Sequence, residues 1–150
     1  MSNEIEIKAF LMRHLQAVLN NDLDTYQQTT VEDLSLYEWW ITPHRIDGVG
    51  FHDFMMSENS RLGTSFGVQG NEDFRSMSPV HIRFDLANLR IQEYGDTAIA
   101  SYTYLLSTGT ASGVRVVAHN ESRVMIKTDG LWKIAHVHKS PAYQAPHVQT

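Results

Sequence analysis

Apolar residues near the start of the chain follow a helical repeat. Ile7, Phe10, Leu11, His14, Leu15, Val18 and Leu19 recur at spacings of three and four, which gathers them on one stripe of a first helix. "NNDLDTYQQ" (20–28) restarts a shorter helix, with Asn21 or Asp22 as its cap. "LSLYEWWI" (34–41) is rich enough in aromatic and branched residues to be a strand. "TPHRIDG" reads as a turn and a short strand. Asp47 to Ser60 predicts a second substantial helix with Phe51, Phe54, Met55 and Met56 as its apolar positions. Residues 61–79 show no period and read as a loop.

From Val80 onward the period changes to two. "HIRFDLANLRIQEY", "DTAIASYTYLLST", "VRVVAHNESRVMIKT" and "LWKIAHVHKS" predict four long strands. Short turns join them at Gly95-Asp96, Gly109 to Gly113 and Asp129-Gly130. Helices followed by an antiparallel meander imply an α+β fold, with the N-terminal helices packed on one face of a curved sheet. The open mouth of such a half-cone is a natural place for a pocket.

Asp-Gly between two strands signals a two-residue type I′ hairpin. An uninterrupted ladder from that turn pairs Thr128 with Leu131, Lys127 with Trp132, Met125 with Ile134, Arg123 with His136, and Glu121 with His138. His119 then falls opposite Ser140. This register puts His119, Glu121, Arg123, His136 and His138 on one face, and a β-bulge in either strand would break it.

Composition narrows what this cluster does. A length of 150 residues fits one domain, 1–150. A net charge of −5 without any Lys/Arg-rich run argues against a nucleic-acid partner. The absence of cysteine excludes disulfides and thiolate zinc sites. Charged residues interrupt the N-terminal apolar stretch, so it is neither a signal peptide nor a membrane span. The expected location is the cytoplasm.

Four readings of the cluster remain open. His-x-His with a carboxylate opposite offers three metal ligands, but Arg123 beside it would repel a cation, so no metal or other cofactor is expected. Arg123 presents a fork that suits a carboxylate or phosphate. His136, His81 or Glu121 are candidates for a general base, with Arg123 holding an oxyanion. Alternatively Glu121 and Arg123 form a buried structural ion pair. Tyr37 and Trp40 are candidates for lining a pocket, with core packing as the alternative. Tyr102 and Tyr104 share a strand face and read as core or as a contact between subunits. Arg83 and Asp85 share a face and can pair with each other.

The block "ESRVMIKTDGLWKIAHVHKS" (121–140) resembles the C-terminal hairpin of the calcium/calmodulin-dependent protein kinase II association (hub) domain. That family's pattern is Glu-Thr-Arg-Val-Trp, three residues, Asp-Gly, one residue, Trp, then His-x-His-x-Ser. Glu121, Arg123, Val124, Asp129, Gly130, Trp132, His136, His138 and Ser140 match it at the same spacing, while Ser122 and Met125 depart from it. Tyr37-Glu38 and Phe51-His52-x-Phe54 are similar to a Phe-Glu-Pro strand and a Phe-His-x-Phe helix of the hub, and Pro79-Val80-His81 to its Pro-x-His.

The resemblance implies an NTF2-like (cystatin-like) cone and association through the sheet, as a homodimer or larger homo-oligomer. It also implies an arginine-lined pocket for a small carboxylate. Arg123 carries over, Lys139 keeps the charge of a second arginine, and Thr103 stands where a third is expected; Arg83 or Arg90 are the available substitutes. The chain is similar to stand-alone bacterial, SnoaL-like members of that superfamily. The superfamily also holds isomerases, cyclases and dehydratases of the SnoaL and ketosteroid-isomerase kind, and a pure oligomerisation module is a further alternative.

Overall fold

The computed structural model describes residues 2–63 and 81–142. Its elements are α1 (Glu4–Leu19), α2 (Leu23–Gln28), β1 (Thr30–Glu38), β2 (Ile46–Asp47), α3 (Gly50–Leu62), β3 (His81–Tyr94), β4 (Thr97–Thr110), β5 (Gly113–Thr128) and β6 (Leu131–Pro141). The six strands form a single sheet in the order β2-β1-β6-β5-β4-β3. Every neighbouring pair is antiparallel except β1 and β6.

The helical stripe of α1 is the buried one. Ile7, Leu11, His14 and Leu15 are almost inaccessible, and the start of the helix is tied to β3 by a hydrogen bond from the Asn3 backbone to Glu93 (2.8 Å). Asp22 caps α2, accepting from the Thr25 backbone. Helix α3 begins three residues later than the pattern suggests. Asp47 is instead paired with Ser35 in a two-residue strand, and Gly48 turns the chain at φ 84°. Met56 of α3 joins Leu34, Leu36, Met125, Ile134 and Val137 of the sheet in the core. Each such side chain contributes about 1.5–3 kcal/mol by leaving water. The loop expected at 61–79 lies outside the described residues beyond Gly63.

The Asp129-Gly130 hairpin forms as expected, with both residues at positive φ (52° and 78°). No atom lies within 4 Å of a Cβ built on Gly130, so Gly130→Ala meets only the backbone penalty of the left-handed region. A loss of about 1 kcal/mol is expected in urea unfolding; an unchanged midpoint would show that the turn relaxes into another type.

The register holds from that turn only as far as Met125↔Ile134. There β6 gains one residue, Ala135, and the next pair is Val124↔His136. Because side chains alternate faces, one extra residue swaps the faces of everything beyond it. His136 therefore lies opposite Val124 rather than Arg123, and His138 opposite Ser122 rather than Glu121. Val137 and Lys139 take their places on the helix-covered face, opposite Arg123 and Glu121. A second irregularity interrupts β3 between Ala87 and Arg90, with Asn88 at φ 56°.

Candidate functional site

Cross-strand pairing assembles a row of polar residues on the inner face. Glu38 pairs with Lys139, Lys139 with Glu121, and Glu121 with Tyr102. All four are buried. Lys139 Nζ donates to Glu38 Oε1 at 2.7 Å and lies 3.9 Å from Glu121 Oε2. The Tyr102 hydroxyl donates to Glu121 Oε1 at 2.5 Å and accepts from Arg123 Nε at 2.8 Å. Arg123 Nε also donates to Glu121 Oε1 (3.3 Å), and a terminal nitrogen lies 3.2 Å from the same oxygen. From α3, His52 Nε2 donates to Glu38 Oε2 at 3.1 Å. The two short sequence echoes around Glu38 and His52 thus meet in space.

Arg123 also fixes a tautomer in α1. Its guanidinium donates to His14 Nε2 at 3.2 Å, so that nitrogen bears the lone pair. His14 Nδ1–H then donates to Thr29 Oγ1 at 2.8 Å, and the Thr29 hydroxyl donates in turn to the Thr25 carbonyl. Burial first, and then the Arg123 charge, push the His14 pKa well down, which keeps the ring neutral.

Burial alone would raise both carboxylates. Arg123 and then Lys139 outweigh it at Glu121, and Lys139 and then His52 outweigh it at Glu38. Glu121 is held well below the usual carboxylate range and Glu38 at about 2. Desolvation raises the pKa values of Tyr102 and Tyr104, so both hydroxyls stay protonated.

Beside this row opens a cavity of about 430 Å³. Leu15, Val18, Leu106 and Val117 supply apolar wall, and Trp39, Trp40, Tyr104 and His119 supply aromatic wall. Arg115, Arg123, Lys139 and Glu121 supply its charge. Trp39 and Trp40 follow the end of β1, where the chain turns back with Ile41 N–H bonded to the Glu38 carbonyl. They pack edge to face at 4.6 Å and are half-exposed. Lys139 Nζ stands 5.2 Å from the centre of the Trp40 ring.

The candidates named from sequence separate into two groups. Glu121, Arg123, Lys139 and Trp40 line the cavity, with His119 beside them. The bulge sends His136 to the outer face, where it bonds Ser35 Oγ (2.8 Å). Tyr37 is on that face too, against His136 and His138. His81 pairs with Gly109 in an outer row and is exposed. Arg83 pairs with Asp85 at the surface.

Tyr102 and Tyr104 belong to the inner face. Arg115 escaped the sequence reading, although the alternation that runs back from Arg123 through Glu121, His119 and Val117 reaches it. No group of three or more His, Asp or Glu side chains placed to hold a metal occurs among the described residues. No helix among them is long and apolar enough to cross a membrane.

A curved sheet wrapped by N-terminal helices around a polar-floored cavity is the architecture of NTF2-like, cystatin-like proteins. Within that class the chain belongs to the calcium/calmodulin dependent protein kinase II association domain family, whose model matches residues 3–143. It is similar to the association domain of Caenorhabditis elegans CaMKII, with a TM-score of 0.74 and 22% identity over 92% of this chain and 95% of that one. The hub homology domain of Chlamydomonas reinhardtii gives a TM-score of 0.75 and 22% identity over 94% and 99%. An NTF2-like protein from Cytophaga hutchinsonii gives 0.69 and 14% over 95% and 100%. At these identities the structural likenesses establish the fold.

Proposed function

We propose that the protein is a homo-oligomeric hub-type module that holds a small organic anion, of the carboxylate class, in the inner cavity. The carrying observation is the cavity's combination of aromatic walls with three cationic side chains, Arg115, Arg123 and Lys139. They face two carboxylates, since Glu121 lines the cavity and Glu38 lies behind Lys139. The site therefore carries a net positive charge in an otherwise acidic protein, which favours an anion.

Arg123 already donates to Tyr102, Glu121 and His14. In this reading Lys139 and Arg115 take the anchoring role, and Arg123 holds the floor in place. Assembly through the outer sheet face is supported by Val114 and Val116, which stand 74% and 56% exposed on β5. Exposed aliphatic residues on a sheet suit a partner surface.

The test uses phenylacetate and its uncharged analogue phenylacetamide, with tryptophan fluorescence and calorimetry as readouts. Phenylacetate is expected to bind at least tenfold more tightly, and Trp40→Ala to remove most of the fluorescence change. Equal affinities, or no binding of either, would overturn the anion reading. Light scattering should give a multiple of the 17.1 kDa chain mass; a monomer at micromolar concentration would overturn the assembly reading.

A further inference from the structure

His119 stands two residues before Glu121 on the inner face of β5, and its ring lines the cavity. Its Nε2 makes a short bond to Glu121 Oε2. Glu121 is acceptor-only as a carboxylate, so Nε2 carries a proton, and in the neutral ring Nδ1 carries the lone pair. Among the described residues Nδ1 has no hydrogen-bond partner. The ring stacks on Tyr104 (centroids 5.0 Å apart, planes 22°) and meets Trp39 and Trp40 at 5.5 and 5.7 Å. Its orientation is thus held from both sides.

Glu121 is in turn fixed by Tyr102, Arg123 and Lys139. A buried carboxylate that orients a cavity-lining imidazole through one nitrogen, with the opposite nitrogen unbonded, is the arrangement of a general base. Structural demand accounts for Arg123 and Tyr102, which close the ion-pair network. At position 119 Glu121 needs only an N–H, and the second ring nitrogen of His119 adds a basic atom.

We propose that His119, oriented by Glu121, is a catalytic base that enolises an oxo acid bound in the cavity. The proposal rests on the reading of the cavity as an organic-anion site. His119 Nδ1 takes a proton from the carbon next to the ketone. The C–H electron pair becomes the new C=C bond, and the carbonyl π pair moves to oxygen. That oxygen then takes the proton back from Nδ1–H, so keto acid becomes enol acid with no co-reactant. Arg115 and Lys139 supply the positive charge that faces the carboxylate and the developing enolate. Glu121 stabilises the transient imidazolium, as a positioning residue.

Phenylpyruvate is the probe, because its ring suits the Trp39, Trp40 and Tyr104 wall and its enol absorbs in the ultraviolet. At saturating protein the keto–enol interconversion is expected to run at least ~100-fold above buffer, the lower end for a positioned base. The same base should speed deuterium exchange at the benzylic carbon, read by NMR. His119→Gln keeps an amide N–H for Glu121 but has no basic nitrogen. It should return the rate to within about threefold of buffer, while fluorescence shows phenylpyruvate still bound. Tight binding by the wild-type protein with a buffer rate would overturn the catalytic proposal and leave the anion site standing. A His119→Gln variant as fast as wild type would also overturn it. Failure of phenylpyruvate to bind, with phenylacetate binding retained, would overturn the oxo-acid class; failure of both would overturn the cavity reading itself.

Discussion

Arg123→Met is expected to cost about 3–5 kcal/mol of unfolding free energy at pH 7, the usual penalty for removing one partner of a buried ion pair. Methionine replaces most of the aliphatic stem, so the loss is electrostatic rather than a cavity effect. Three groups lose their partner together. Glu121 keeps Lys139, at 3.9 Å, as its cationic neighbour, and its hydrogen bond with His119. The Tyr102 hydroxyl and His14 Nε2 each lose a donor inside the core. For a domain of this size the melting temperature should fall by roughly 10 °C.

The double variant Arg123→Met/Glu121→Gln separates charge from packing. With the carboxylate gone, it should recover at least ~1 kcal/mol relative to Arg123→Met alone. Urea unfolding of the wild type, Arg123→Met, Glu121→Gln and the double variant measures both quantities. A single-variant loss under about 1 kcal/mol, or strictly additive effects, would show that Glu121 finds compensation elsewhere and that the row is not a coupled unit.

Much of this arrangement is local and therefore legible in the chain. The alternation from Val80 onward marks all four long strands, and Asp129-Gly130 fixes their last hairpin. The same period-two counting places His119, Glu121 and Arg123 on one face. What defeats it is Ala135. A bulge adds one residue to a strand without any composition of its own, and it inverts every side chain beyond it.

A signal was nevertheless present. After Trp132 and Ile134, strict alternation buries His136 and exposes Val137, against their polarity; the bulge reverses both. The other gaps are long-range. Glu38 and Lys139 are 101 residues apart and meet only through the parallel β1–β6 pairing. His14 sits in the apolar stripe of α1, which marks it as buried, but nothing local shows that Arg123 lies 109 residues on.

The same network should make the fold acid-labile in two stages. His14 is neutral in the folded protein and has an ordinary value of 6.5 when unfolded. Below that pH the unfolded chain binds the proton and the folded one resists it, so stability falls as pH falls. Above 6.5 this contribution is fully present. Glu38 shifts from 4.5 to about 2 on folding, and Glu121 shifts in the same direction. Depressed carboxylates stabilise the fold above their unfolded value and lose that contribution as pH drops through the folded one.

The unfolding free energy should therefore decline gently from about pH 6.5 and steeply below about 4.5. Glu38 alone accounts for about 3 kcal/mol, and its burial leaves little solvent screening. Glu38→Gln should be less stable than wild type at pH 7, because Lys139 and His52 lose their carboxylate. Between pH 4.5 and 3 its curve should be flatter, so the two proteins converge on acidification. Denaturant unfolding at half-unit pH steps gives both curves. Parallel curves through this range would mean that Glu38 takes up its proton equally in both states, and that Lys139 and His52 do not hold it ionised.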